Sequence, residues 1–253
     1  MNYRSKEKSE IQFTSHYGDN FYKSQMEGSY KSARKYVDFL SKIYKPLSVV
    51  DVGCGRGTWL KAFKDSGVKK VIGLDGKWNN QNNMIDESIE FYAIDLNQPI
   101  TGHDEKYDMA ISLEVAEHLE VSSAKTFVES LTKLADVVMF GAAYTKQGGT
   151  NHINEQPQTY WAQIFKECNY IPFDLFRPVF WGDKEIEFWY QQNTFLYVKN
   201  GSTLIQKLTA AGYTPIENIA FMECIHPTLY NSKLNLNMRQ VFKQLIKNIL
   251  HWP

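Results

Sequence analysis

Residues 49–60, which read VVDVGCGRGTWL, constrain the fold of this 253-residue chain more than any other stretch. The apolar run at residues 49–52 is typical of a buried parallel strand. Gly53, Gly55 and Gly57 follow at alternate positions, and the next residues begin a helical pattern. Glycines let a backbone approach a ligand closely and adopt positive φ angles. The stretch therefore predicts either a ligand site at a helix N-terminus or an ordinary tight turn between a strand and a helix.

Strands and helices alternate along the chain, which predicts a doubly wound, Rossmann-like α/β fold with a mostly parallel sheet. Strands are predicted at residues 49–52, 69–75, 89–94, 107–112, 136–141, about 174–180 and 188–198. The short link between the last two favours an antiparallel pair. Helices are predicted at residues 29–44, about 60–67, 113–119, 123–135, from 157 onward, 204–211 and 237–250. We expect an α/β domain over residues 1–200 with an N-terminal helix, and a helical C-terminal extension over residues 201–253.

Charge and cysteine content argue against several classes of protein. Lys plus Arg and Asp plus Glu each number 28, so the net charge is zero and we expect no nucleic-acid partner. Three widely spaced cysteines fit neither a disulfide framework nor a zinc site. The first residues lack the apolar core of a signal peptide, and no apolar run is long enough to cross a membrane. We therefore expect a reduced, cytoplasmic protein without a transmembrane segment.

Three acids end three successive predicted strands: Asp51, Asp75 and Asp95. In a doubly wound sheet these strand ends lie side by side at the carboxyl edge, where ligands bind. Asp75 lies about 20 residues beyond the glycines, the usual place of an acid that binds ribose hydroxyls. The glycine spacing differs from the dinucleotide pattern, and Asp51 would repel a phosphate but attract a cation. S-adenosylmethionine fits these features, because it carries a sulfonium, an amino group, a ribose and an adenine but no phosphate.

Four stretches resemble the motifs of class I S-adenosylmethionine-dependent methyltransferases in the family's order: VVDVGCGRGTWL, VIGLDG (71–76), FYAIDL (91–96) and YDMAISLEVAEHL (107–119). The resemblance implies a seven-stranded sheet with an antiparallel last pair, and S-adenosylmethionine as the cofactor. It implies a cofactor site with Asp51, Gly53, Gly55 and Gly57 around the methionine part, Asp75 and Gly76 at the ribose, Asp95 and Leu96 at the adenine, Leu113 and Glu114 below the sulfonium, and Tyr22 as a cover. Cys54, Thr58 and Trp59, in and after the glycine turn, are further expected cofactor-binding residues.

Glu114, Glu117 and His118 follow the fourth strand at helical spacing, and His152 lies in the loop after the fifth strand. In one interpretation, His118 or His152 is a general base that Glu117 orients. In another, all four residues bind a divalent metal, magnesium or manganese, that acidifies an acceptor hydroxyl. The pattern resembles the metal site of small-RNA 3′-end 2′-O-methyltransferases and that of quinone-pathway O-methyltransferases. The third interpretation is purely structural, with Glu117 and His118 capping a helix and lining the substrate entrance.

The segment GGTNHINEQPQTYW (148–161) resembles small-molecule O-methyltransferases of bacterial surface-saccharide and secondary-metabolite pathways. Polar residues of this loop and nearby aromatic residues are of the kind that bind saccharides: Tyr144, His152, Asn154, Glu155, Gln156, Tyr160, Trp161, Trp181, Trp189 and Tyr190. We expect an O-methyltransferase that acts on a small molecule, with a saccharide hydroxyl as the acceptor. The alternatives are an RNA 2′-O-methyltransferase, a non-catalytic methyltransferase-like subunit and, against the glycine spacing, a nicotinamide oxidoreductase. The C-terminal helix could serve a homodimer or a membrane surface.

Overall fold

The computed structural model describes residues 16–103 and 105–234, with side chains from residue 26 onward. Seven strands form one sheet in the order β3-β2-β1-β4-β5-β7-β6, in which β7 runs antiparallel to both neighbours and the other neighbouring pairs are parallel. This confirms the predicted fold. The strands are β1 (Ser48–Val52), β2 (Lys70–Asp75), β3 (Glu90–Ala93), β4 (Met109–Leu113), β5 (Val137–Gly141), β6 (Tyr170–Phe173) and β7 (Phe195–Lys199).

Alternate strand residues such as Val49 and Val50 point into two separate apolar clusters, one on each face of the sheet. Helices cover both of these faces. The α-helices are α1 (His16–Leu40), α2 (Thr58–Asp65), α3 (Ala124–Leu134), α4 (Gln158–Glu167), α5 (Arg177–Phe180), α6 (Phe188–Asn193), α7 (Thr203–Ala210) and α8 (Pro227–Leu234). Short 3-10 turns lie at residues 81–83, 116–118, 121–123 and 219–222. Within the described ranges, no helix is both long and apolar enough to span a membrane.

The strand predicted at 174–180 was wrong, and the one predicted at 188–198 begins only at residue 195, although the antiparallel pairing of the last two strands is confirmed. The strands are β6 and β7, whereas residues 177–180 and 188–193 of the predicted strands are helical. Pro172 argued against a strand at residues 170–173, so β6 was not predicted there. The proline is tolerated because β6 is an edge strand and can lack one backbone N–H. The aromatic residues in 188–193 led to the prediction of a strand there. They belong instead to a helix, from which they pack into the core.

Two helix predictions also need correction. The helix predicted at 113–119 is only the 3-10 turn at 116–118, because Glu114 adopts a positive φ of 57° that ends the strand abruptly. Glu114 therefore does not share a helical face with Glu117 and His118. The helix predicted at 29–44 begins at His16 and ends at Leu40. The helix predicted at 237–250 lies outside the described residues.

The carboxyl edge of the sheet collects the segments that can form a site. The ends of β1, β2, β4 and β5 meet there. Since Phe140 pairs with Phe195 and Phe173 with Leu196, the connection at residues 174–194 lies at the same edge. In the predicted C-terminal extension, Leu204 joins one apolar cluster and Met222 the other.

Candidate active site

The glycine turn after β1 leaves an open space at the sheet edge. Gly53, Gly55 and Gly57 all have positive φ angles, of 88°, 53° and 77°. A Cβ atom on Gly55 would meet no atom within 4 Å, whereas one on Gly53 would overlap the side chain of Val115. The turn is therefore packed on one side and open on the other, as a cradle for a ligand requires.

Asp75 ties the end of β2 to this turn. Its Oδ2 accepts a hydrogen bond from the backbone N–H of Gly55, and its Oδ1 accepts one from Gly76, both at 2.7 Å. Asn79 adds a bond from its side-chain amide to the carbonyl of Gly55. Burial raises the pKa of Asp75. The predicted ribose-binding acid is thus held in place beside the glycine turn.

Asp51 lies buried at the end of β1 and receives no hydrogen bond from any residue that the structure describes. Burial and the nearby charge of Asp75 raise the pKa of Asp51 well above its usual value. A carboxylate without donors is costly to bury, and a cation close to it removes much of that cost. The pair Asp51 and Asp75 therefore gives the cradle an acidic wall, which would favour a positively charged ligand.

Trp78 stands beside the predicted ribose position, and the sequence argument did not select it. The side chain is 73% exposed, yet its indole edge lies where a Cβ atom on Gly76 would come within 2.6 Å. Of the two predicted adenine-binding residues, Asp95 is exposed and Leu96 is buried. The sequence did contain an indication of Trp78, because it is an aromatic residue only three positions after the acid that ends β2.

The remaining predicted cofactor residues differ in what their side chains do. Cys54 and Trp59 are buried in the apolar cluster on one face of the sheet. The hydroxyl of Thr58 makes a 2.9 Å hydrogen bond with that of Ser29 in α1. Tyr22 lies within α1, but its side chain is outside the described part. The main chain of the turn therefore faces the open space while these side chains anchor it.

Glu117, His118 and His152 come together beside the cradle. One potential metal-ligand atom from each lies within 4.8 Å of the others, and the two imidazole rings are perpendicular with centroids 4.8 Å apart. Glu117 is fully buried, and neither of its carboxylate oxygens has a described donor in good hydrogen-bond geometry, although the nearby backbone N–H groups of Glu117 itself and Ala143 partly oppose the rise of its pKa. Burial and the charge of Glu114 raise the pKa of Glu117, while burial and the charge of His152 lower the pKa of His118.

Backbone contacts bring the loop that carries His152 onto the turn that carries His118. The N–H groups of Ile153 and Asn154 both donate to the carbonyl oxygen of Glu117, each at 2.9 Å. The side-chain amide of Asn154 also donates to the carbonyl of Ala116. These bonds fix the relative position of two residues that are 34 positions apart in the sequence.

Hydrogen bonds define the tautomers of both histidines. Nδ1 of His118 lies 3.2 Å from the carbonyl oxygen of Asn151, and Nδ1 of His152 lies 2.9 Å from a carboxylate oxygen of Glu155. Because these oxygens only accept, each Nδ1–H donates, and in the neutral form of each ring Nε2 then carries the lone pair. Two imidazoles thus offer a basic nitrogen next to a buried carboxylate.

Glu114 lies outside this group of three. Its carboxylate accepts 2.8 Å hydrogen bonds from the side-chain amides of Asn193 and Gln147. Burial raises its pKa to about 7. The structure therefore brings together three of the four predicted metal ligands. The two amides were missed because nothing local in their sequence points to Glu114.

Most of the side chains expected to meet a saccharide contact the protein itself. Tyr144 donates to Glu223, and Asn154, as noted, bonds to the backbone. Trp161 and Tyr190 are buried in the core. Trp181 remains 36% exposed at the same sheet edge.

Residues 22–218 match a protein-family model described as "Methyltransferase domain". The chain belongs to this methyltransferase family. Its fold is that of the class I S-adenosylmethionine-dependent enzymes, which confirms the resemblance seen in the sequence. The cofactor of the methyltransferase is S-adenosylmethionine. The open turn at Gly55 and the carboxylate of Asp51, which has no donor among the residues described, fit this cationic cofactor.

One curated relative, a mitochondrial ubiquinone biosynthesis O-methyltransferase from Dictyostelium discoideum, is 31% identical over 140 residues. The match covers 47% of this chain and 38% of that protein, so the methyltransferase aligns with well under half of its relative.

Several solved structures share the fold. A cofactor-bound amino pentose methyltransferase from Micromonospora echinaspora, involved in calicheamicin biosynthesis, has a TM-score of 0.53 at 11% identity, over 76% of this chain and 100% of that chain. The methyltransferase domain of a bacterial Hen1 protein has a TM-score of 0.52 at 17% identity, over 68% and 98%. An O-methyltransferase family protein from Burkholderia thailandensis has a TM-score of 0.52 at 13% identity, over 73% and 60%. At these identities the likeness shows the fold alone.

Proposed function

We propose that this methyltransferase transfers the methyl group of S-adenosylmethionine to a hydroxyl of a small molecule, with a saccharide as the acceptor. The observation that carries the proposal is the group formed by Glu117, His118 and His152 at the end of β4, next to the cofactor cradle. Methylation of a hydroxyl requires removal of its proton as the new bond forms, and this group supplies what that step needs.

A divalent cation, magnesium or manganese, fits the group better than a base acting alone. Glu117 is a buried carboxylate that no described donor reaches in good hydrogen-bond geometry, which is costly unless a cation compensates it. His118 and His152 are both oriented through Nδ1, as metal-binding histidines usually are, which leaves Nε2 of each ring as the atom that would bind the metal. A cation held by these three residues would lower the pKa of the acceptor hydroxyl. Glu114, engaged by two amides, would remain outside the set of ligands.

The choice of oxygen as the methylated atom has two supports. The first is the group itself, since amines need no such activation once they are unprotonated. The second is the relative from Dictyostelium discoideum, whose name describes an O-methyltransferase. The choice of a small acceptor rather than RNA rests on the zero net charge of the chain, because RNA binding normally requires an excess of positive charge. The exposed indole of Trp181 at the same sheet edge favours a saccharide ring.

Two measurements test this function. The first is methyl transfer from labelled cofactor to a panel of nucleotide sugars and oligosaccharides, with phenols and a short RNA for comparison. We expect transfer to a saccharide, loss of transfer after chelation and recovery when magnesium or manganese is restored. Salt-sensitive transfer to RNA alone would overturn the choice of acceptor. Cofactor binding without transfer to any of these acceptors would favour a non-catalytic subunit.

The second measurement is manganese binding followed by electron paramagnetic resonance, which does not depend on activity. We expect Glu117→Gln and His152→Ala to lose the bound manganese signal. His103→Ala is the matched control, because His103 lies against Tyr92, at a strand far from the group in the sheet order. Full activity in the presence of a chelator, together with absence of manganese binding, would leave His118 or His152 as a general base and refute the metal.

A further inference from the structure

His226 is a buried histidine that the chemistry described above does not use. Its side chain lies just before α8 and the residue is only 6% exposed. Nδ1 lies 3.2 Å from the backbone N–H of Thr228 and accepts its hydrogen bond. An imidazole that accepts at Nδ1 carries its proton at Nε2. Nε2 is buried and has no hydrogen-bond partner among the described residues.

Two aromatic side chains lie against the imidazole that carries this unused N–H donor. The ring of Trp181 lies 4.7 Å from that of His226 at an angle of 56°, and the ring of Phe188 lies 6.0 Å away at 30°. Trp181 is the most exposed of the three. An unsatisfied donor beside an exposed aromatic face is the combination expected to bind a ring that carries oxygen atoms.

The three residues lie at the edge of the sheet where the methyl group is transferred. Trp181 and Phe188 belong to the connection between the end of β6 and the start of β7, which lies at that edge. The backbone N–H of His226 donates to Gln192 at 2.7 Å, and the amide of Gln192 contacts Gln147 at 3.4 Å. Gln147 in turn bonds to Glu114, so two side chains link His226 to the predicted methyl site.

Hydrogen bonds fix the segment between Trp181 and Phe188 in the absence of a ligand. The side chain of Gln191 accepts from the backbone N–H of Gly182 and donates to the carbonyls of Asp183 and Ile186. Asp183 also pairs with Lys35 of α1 at 2.7 Å. A held backbone reduces the entropy that binding would otherwise cost.

We propose that Trp181, Phe188 and His226 form the acceptor subsite, in which Nε2–H of His226 donates to an oxygen of an uncharged saccharide ring lying against Trp181. The inference rests on the proposed function, because it identifies the place of that function's acceptor. Because Nε2 is covered in the structure and Trp181 is its exposed neighbour, the proposed contact requires the indole to turn aside as the ring enters. The bound oxygen removes the cost of a buried donor without a partner, about 1–3 kcal/mol.

Two substitutions separate this role from the structural role of His226 at the start of α8. His226→Asn keeps an acceptor for the N–H of Thr228, since asparagine is a favoured helix cap, but it removes the donor at Nε2. His226→Gln places an amide N–H close to the position of Nε2 and weakens the cap. A donor role predicts that the Gln variant binds saccharide more tightly than the Asn variant. A purely structural role predicts only that the Asn variant is the more stable of the two.

The experiment follows the indole N–H signals of the six tryptophans by nuclear magnetic resonance in the presence of cofactor. Trp181→Phe assigns the signal of Trp181. The probes are the methyl glycosides of glucose, galactose, mannose and rhamnose, with phenol as the aromatic comparison. We expect at least one glycoside to shift the Trp181 signal, and His226→Asn to weaken its binding about tenfold, with cofactor affinity unchanged.

A Trp181 signal that no probe moves, or equal glycoside binding by His226→Asn and the unmodified protein, would overturn the subsite. A response to phenol alone would overturn the saccharide class. The readout needs no methyl transfer, so the two proposals fail separately. Glycosides that bind but are never methylated would refute the proposed function, whereas saccharide methylation with an unmoved Trp181 signal would refute the subsite.

Discussion

The imidazole of His152 lies directly over the α-carbon of Gly149, in the space that a Cβ atom at residue 149 would occupy. The contact involves Nε2 and both carbons beside it. The position of the proposed ligand atom of His152 thus depends on a residue without a side chain three positions earlier.

Gly149→Ala should therefore displace His152 and lower methyl transfer. A shift of about 1 Å in a catalytic group can cost about 100-fold in rate. We expect a loss of that order in kcat, with the dissociation constant of S-adenosylmethionine unchanged in calorimetry. Gly212→Ala serves as the control, because a Cβ at Gly212 meets no atom within 4 Å. The positive φ of Gly212 makes alanine strained there, but this strain is far from His152 in the sequence. An unchanged kcat in Gly149→Ala would show that His152 needs no fixed position.

Asp51→Asn should stabilise the cofactor-free protein while weakening cofactor binding. The pKa of Asp51 is raised in the folded state, so folding favours its protonated form. Its burial costs nothing below the unfolded-state pKa and destabilises the fold increasingly as pH rises above that value. Removing the charge should then raise Tm at neutral pH by about 2–4 °C, which corresponds to about 1 kcal/mol.

The same residue should couple cofactor binding to pH. A bound sulfonium and amino group favour the carboxylate, so binding lowers the pKa of Asp51 and releases a proton. Affinity for S-adenosylmethionine should fall as pH falls through the raised pKa of free Asp51. Calorimetry in buffers of different ionisation enthalpy measures the released proton, and Asp51→Asn should abolish that release. Equal proton release in the variant would assign the effect to another group.

Trp78→Ala should weaken binding of S-adenosylmethionine. An exposed indole beside Gly76 can stack on the adenine, and such aromatic contacts contribute about 0.5–1.5 kcal/mol. We expect the dissociation constant to rise about 2–10-fold, Trp78→Phe to retain most of the affinity, and cofactor to quench the fluorescence of Trp78. Tyr92→Ala, at an exposed aromatic residue on the neighbouring strand, is the control. Equal affinities for all four proteins would remove Trp78 from the site.

Arg177→Ala should destabilise the fold and leave the cofactor site intact. Arg177 is buried, pairs with Asp174 at 2.8 Å and donates to the carbonyls of Met222 and Phe221, so it fixes the segment at 219–222 to the core. Removing it should lower the free energy of unfolding by about 3 kcal/mol in denaturant titration. Lys125→Ala breaks the exposed pair with Glu167 and should change that free energy by about 0.5 kcal/mol or less. Similar losses in both variants would contradict the anchoring role of Arg177.

Local sequence patterns were enough to predict the sheet and the cofactor. The apolar run before Gly53 and the acids Asp51 and Asp75 each belong to a strand-and-turn pattern only a few residues long. They can therefore be recognised from the sequence alone. Short apolar runs located β1, β2, β4 and β5 within a few residues. They missed β6, which contains Pro172, and they placed the start of β7 too early, because a run of buried aromatic residues precedes it.

The sequence by itself determined that the chain builds a parallel sheet with a glycine turn and two acids at one edge, because strand periodicity and turn chemistry are local properties. Only the tertiary structure decided that Glu117, His118 and His152 form one group, that Glu114 is held apart by Asn193 and Gln147, and that Trp181 lies against His226. These contacts join residues far apart in the chain, through hydrogen bonds and packing that exist only once the strands have paired. No periodicity along the sequence encodes them.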